Sequence, residues 1–158
     1  FIPALEKAHD VLTSVDHEGK KLGFNATITW LYYQDLLGMQ GFYENTMGLE
    51  LVGHQGWTKI YHASATGFVG LVDELSGMYD YSDTKAVNIS FLIEDLDGWL
   101  AYSIKHEPFE LWSKEMGMGP EGMYRAFVGY DPEKYFMEFD KFYDHEDNVV
   151  LLDFLKDN

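Results

Sequence analysis

The chain has 158 residues, 46% of them hydrophobic and 16% aromatic, enough to bury one domain's core and too apolar for a disordered chain. Its 27 acidic side chains against 11 basic ones give a formal net charge of −16, which excludes the basic stripe that nucleic-acid binding needs and reads as a solvated acidic surface. No apolar run reaches the roughly 18 residues of a membrane helix, and the absence of cysteine removes disulfides, thiolate metal sites and cysteine nucleophiles.

From Pro3 to Val15, Leu5, Ala8, Val11 and Leu12 fall at helical spacing, with proline where a first turn tolerates it. The numbering opens on Phe1 rather than Met, which reads as a trimmed chain. Residues 16–23 are polar and contain glycine, the composition of a linker, and Asn25-Ala26-Thr27 is a glycosylation sequon. The compartment stays open.

Ala26 to Tyr33 is β-branched and aromatic, which favours a strand. Asp35 follows where a carboxylate can cap a helix, and the helix to about Met47 puts Leu36, Met39, Phe42 and Tyr43 on one face before Gly48 ends it. Three strands are expected over Leu49–Val52, Thr58–His62 and Gly67–Val72, then a polar connector over residues 74–84. The pattern then starts again. Ala86–Ile93 is a strand, Asp95 a cap, and the next helix is expected to bury Leu96, Trp99, Leu100 and Ile104. Phe109–Trp112 is a further strand, Met116–Gly122 a lid-like loop, and Tyr124–Gly129 with Tyr135–Lys141 a closing hairpin about the turn Asp131-Pro132-Glu133. The apolar tail, with Val149, Val150, Leu151, Leu152, Phe154 and Leu155, is expected to pack on the domain or on a second subunit.

The two halves are copies. Tyr33-Gln34-Asp35-Leu36 returns as Ile93-Glu94-Asp95-Leu96, and Gly48-Leu49-Glu50-Leu51 as Pro108-Phe109-Glu110-Leu111, about sixty residues later. Phe68 to Val72 returns as Phe136 to Asp140 at a longer spacing, so the second copy carries an insertion in its Met/Gly loop. The expected fold class is α+β, with two paired βαβββ modules. The expected layout is an N-terminal helix and linker over 1–25, a paired-module domain over 26–142 (module one 26–74, module two 86–142) and a tail over 143–158.

Two such copies, Phe42-Tyr43 followed by Met47-Gly48-Leu49, and a closing Asp131-Pro132 with Glu138 together resemble the vicinal oxygen chelate superfamily. That group holds glyoxalase I, bleomycin- and fosfomycin-resistance proteins and extradiol dioxygenases. The resemblance implies sheets curled into a cup that encloses a small-molecule site. It also implies metal ligands on the first and last strand of each module, and those positions are here Ile28, Gly70, Asn88 and Glu138. Only Glu138 is a good ligand type, so no metal is expected; if a divalent metal binds, Glu138 with His62 would hold it.

Strand alternation puts Ile28, Trp30 and Tyr32 on the cup face of module one, and Asn88, Ser90 and Leu92 on that of module two. Trp30 and Tyr32 read as an aromatic wall or as plain filling, and Asn88 with Ser90 as ligand contacts or as mutual partners. Glu138, in a strand between Met137 and Phe139, reads as a buried carboxyl with a raised pKa and thus as a candidate catalytic base. Arg125, the chain's one arginine, reads as an anion clamp or as the partner of a surface acid. These residues support a small-molecule-binding protein of the glyoxalase/bleomycin-resistance type, with degenerate metal positions and a cationic, partly aromatic guest. The alternative is a lyase, isomerase or dioxygenase with Glu138 as base or metal ligand. The expected partners are a small molecule and, through the tail, a second copy in a homodimer, with neither nucleic acid nor membrane.

Overall fold

The computed structural model describes residues 23–156, so the helix expected over Pro3–Val15 lies outside the described residues. Module one runs β1 (Thr27–Tyr33), helix α1 (Leu36–Gly41) with a π-helical turn (Phe42–Thr46), β2 (Glu50–His54), β3 (Thr58–Ser64) and β4 (Gly67–Asp73). Module two runs β5 (Asn88–Leu92), α2 (Leu96–His106), β6 (Glu110–Leu111), β7 (Gly117–Met118), β8 (Tyr124–Tyr130) and β9 (Phe136–Phe142). A last helix, α3 (Val149–Lys156), follows. The sheets are ordered β1-β4-β3-β2 and β5-β9-β8-β6, with β7 paired to β8. In each, the module's first strand lies parallel to its last. The registers coincide: Ile28 faces Phe68 as Asn88 faces Phe136, and Trp30 faces Gly70 as Ser90 faces Glu138.

The two helix starts are also copies. Asp35 accepts from the Gly38 N–H and Asp95 from the Gly98 N–H, each at 2.9 Å. Each carboxylate folds over its glycine so closely that an added Cβ would lie 2.2 Å from an Asp oxygen. Glycine is therefore required by the cap, although it is a poor helix former. We expect Gly98→Ala to destabilise the domain by about 1 kcal/mol in urea denaturation, against the gain that helix propensity alone assigns to alanine. Combining it with Asp95→Ala should cost less than the sum of the two; strict additivity would remove this account of the cap.

The helix of module one widens into a π turn where Met47 N–H reaches the Phe42 carbonyl, and Gly48 then takes φ +69°. The turn lets the adjacent rings of Phe42 and Tyr43 both be buried. In α2 the buried line is Leu96 and Ser103, with Trp99 and Leu100 half-buried, whereas Ile104 is exposed on the helix flank. The Ser103 hydroxyl is satisfied by donating to the Trp99 carbonyl at 2.8 Å. The lid-like loop is not free: Gly117 and Met118 pair with Ala126 and Arg125, and the Tyr124 ring covers Gly119.

One hydrophobic core joins the modules through the faces beneath their helices, uniting Leu31, Tyr33, Tyr43, Tyr61 and Leu71 with Phe109, Phe127, Met137 and Phe139. The turn between β8 and β9 clasps module one. Asp131 accepts from the Tyr33 hydroxyl at 2.6 Å, Glu133 from the Gln34 and Asp35 N–H groups at 2.8 and 2.9 Å, and the Tyr135 hydroxyl meets both backbone polar groups of Tyr32. No described helix is long and apolar enough to cross a membrane.

Candidate functional site

Alternation along β1 sends Leu31 and Tyr33 into the core and leaves Ile28, Trp30 and Tyr32 on the opposite face. Rows across sheet one are set by register: Ile28, Phe68 and His62; Trp30, Gly70 and Ile60; Tyr32, Val72 and Thr58. The Trp30 indole occupies the space above Gly70, where a Cβ would come within 2.2 Å of a ring carbon, and still leaves 41% of the residue exposed. Tyr32 is pinned by Tyr135 and meets Tyr79 of the connector edge-on, with ring centres 5.3 Å apart. The His62 ring lies against Phe68.

Sheet two presents a different surface. Asn88, Ser90 and Leu92 stand beside Phe136, Glu138 and Asp140. The Asn88 amide donates to Glu138 at 2.7 Å, and the Ser90 hydroxyl donates to Asp140. These two diagonal bonds form a polar ladder between the parallel strands. Glu138 is only half-buried. The buried acid is its neighbour Asp140, 5% exposed beside Ala126 and Leu92. Burial pushes the Asp140 carboxyl above the ordinary aspartate range, opposed by the Ser90 bond and assisted by the nearby Glu138 charge. The expectation of a buried Glu138 is thus corrected, and Asp140, one alternation further along the strand, was the residue to weigh.

Asn88 stands beside Glu138 on one sheet and serves as its hydrogen-bond partner. One further expectation changes. The two cup faces stay open within the chain, with Ile28, Trp30, Asn88, Ser90 and Leu92 all exposed, because the modules are joined through their other faces. Arg125 points from β8 toward α2 and pairs with Asp97 at 3.0 Å, away from Glu138. The favourable apolar contact lies under the helices, so joining the modules there leaves the cup faces apart.

At the positions that the resemblance marks for metal, Ile28 and Gly70 offer no side-chain donor, the indole fills the space at Gly70, and Asn88 turns its amide N–H toward Glu138. Among the described residues no group of three or more His, Asp or Glu side chains could hold a metal, and His62 joins no such group with Glu138.

No protein-family model and no curated protein matches the sequence. Solved structures do match the fold. Lactoylglutathione lyase from Agrobacterium tumefaciens superposes with a TM-score of 0.59 at 19% identity, over 73% of this chain and 91% of that one. A glyoxalase/bleomycin resistance protein/dioxygenase from Alicyclobacillus acidocaldarius gives 0.58 at 16% identity, over 75% and 92%. TioX from Micromonospora gives 0.61 at 14% identity, over 76% and 100%. At these identities the likeness is one of fold.

Proposed function

We propose, from the fold of the vicinal oxygen chelate superfamily that this chain has, that it is a small-molecule-binding protein that works without a metal in that fold's ligand positions. The observation that carries this reading is the Trp30 indole seated on Gly70, which puts an aromatic platform where the superfamily places a donor atom. Trp30 and Tyr32 offer ring faces, while the ladder of Asn88, Glu138, Ser90 and Asp140 offers carboxylates. That combination suits a cationic, partly aromatic guest, and since the two faces lie apart within the chain, one guest would meet both only where a second copy brings a ring face against a ladder. Arg125, committed to Asp97, has no part in it. The open faces carry Ile28, Trp30 and Leu92, and α3 exposes Val149 and Val150, so a second copy of the chain is the partner we propose to cover them.

Thermal-shift screening of cationic aromatic amines against hydroxy-keto acids tests the guest. We expect the amines to raise the melting temperature, and Trp30→Ala to weaken them about tenfold. A rise given only by the acids would overturn the reading. Elemental analysis of the purified protein should find no stoichiometric zinc, iron, manganese or nickel. One metal per chain, lost in Glu138→Ala, would instead make Glu138 an anchor.

A second reading rests on one specific observation, the adjacent carboxyls of Glu138 and Asp140. A carboxyl that burial pushes above its ordinary range, beside a second carboxylate, is equipped to move a proton next to a carbonyl, as a lyase or isomerase does. Exchange of substrate α-protons into deuterated water, abolished by Glu138→Gln, would favour this reading over simple binding.

A further inference from the structure

At the end of module two's cup face, next to the connector, one groove reverses the charge balance of the chain. Acids outnumber bases 27 to 11 overall. In the groove of about 600 Å³ between the connector and the β8–β9 turn, the charged lining is Lys85, Lys134 and Asp83. Lys85 is held over the rings of Tyr81 and Tyr135, 3.9 and 4.7 Å from their centres, and donates to the Ser82 carbonyl; no described carboxylate pairs with it. Lys134 has only the exposed Glu110 as partner, a pair of the kind that contributes little.

The groove's floor is aromatic. Tyr130 and Phe136 meet edge-on with centres 5.4 Å apart, and Trp112, 70% exposed, borders both rings from the neighbouring cleft. Lys134 stands over the Tyr130 ring. It does so from φ +72°, a left-handed backbone that disfavours a side chain with a Cβ and that glycine or asparagine fills at less cost. A lysine kept in a conformation it does not favour, above an exposed ring, is a strained residue presenting its charge to the groove.

We propose that this groove is a second binding site, for a small planar anion such as an aromatic carboxylate. Its ring would pack against Tyr130 and Phe136, and its carboxylate would lie between Lys85 and Lys134. The two ammonium groups outnumber the one carboxylate of the lining, Asp83, so the local balance is positive and the attraction is a salt-sensitive one. Asn88 is the one residue that this groove shares with the ladder of sheet two.

Titration of the intact protein with 2-naphthoate, followed by quenching of tryptophan emission and by calorimetry, tests the proposal. We expect saturable binding that weakens with salt, and no binding of the cation 2-naphthylmethylamine at this groove. Lys134→Asn, which keeps the left-handed turn and removes the charge, should weaken naphthoate about tenfold. Lys85→Gln should act in the same direction, and Lys105→Gln, on the exposed flank of α2, should leave binding unchanged. Affinity indifferent to Lys134→Asn and Lys85→Gln, or equal affinity for anion and cation in the Trp30→Ala protein, would overturn it. Loss of naphthoate binding through Trp30→Ala alone would place the anion on the cup face of module one and would likewise remove this site. Failure here leaves the reading of the cup untouched, since that reading is tested through Trp30 and cationic probes.

Discussion

Replacing Asp131 by alanine is expected to lower the unfolding free energy by about 3 kcal/mol, a large share of what a domain of this size has. The carboxylate is 1% exposed and fully employed. One oxygen accepts from the backbone N–H groups of Glu133 and Tyr135 at 3.0 and 2.8 Å, and the other meets the hydroxyls of Tyr33 and Tyr43. Alanine would strand these donors in the interior between the modules. Asparagine keeps the oxygen that serves the backbone and should cost about 1 kcal/mol, which separates lost hydrogen bonds from lost shape. Chemical denaturation of both variants measures the difference.

The same network sets two pH effects. Burial raises the Asp131 carboxyl above its ordinary range, opposed by the bond from Tyr33. A raised folded value means that its contribution is complete below the unfolded value of 3.8 and fades as pH rises through the folded one. Asp131→Asn should therefore flatten the stability profile just above pH 4. Tyr33 and Tyr43 are pushed well above 10.0, first by burial and then by the surrounding charges. Their contribution is complete below pH 10 and lost above it, so tyrosinate absorbance should develop together with unfolding. Early, non-cooperative ionisation of these two phenols would contradict the buried network.

Phe139→Ala is expected to cost about 4 kcal/mol and to leave the domain near its unfolding midpoint at moderate temperature. Phe139 is wholly buried on β9 and touches four other rings. Phe127 and Phe109 lie parallel to it within 4°, at 4.7 and 5.6 Å between centres, with Trp99 at 5.4 Å and Phe91 at 5.6 Å. These partners come from strands β5 and β8, the helix and the segment before β6, so one ring ties all parts of module two together. Phe139→Leu retains much of the volume and should cost about 2 kcal/mol, the remainder reporting the stacking. Thermal melts with matched denaturant curves check both figures. Equal losses for alanine and leucine would mean that cavity volume does not govern the site.

The paired modules were legible because each element has a second copy at matching position, so the Asp35 and Asp95 caps and the parallel first and last strands support each other. Faces were legible as well, since alternation along β1 and β5 is a local property. Asp131 was not. Beside Pro132 it reads as an ordinary turn residue, and its partner Tyr33 lies 98 positions away. Ile104 was expected in the core by helical spacing from Leu100, but the line through Leu96 and Trp99 leads to Ser103, and Ile104 falls on the wall of a cleft. Burial of Glu138 was inferred from its apolar neighbours in sequence, which on a strand point to the other face.

The clasp made by Asp131, Glu133 and Tyr135 has a consequence for the covalent chain itself. The connector exposes Leu75, Met78 and Tyr79, a ready substrate for a protease. A single nick there breaks the tether but none of the bonds between the halves, so the severed fragments should still travel as one particle in gel filtration and part only in denaturant.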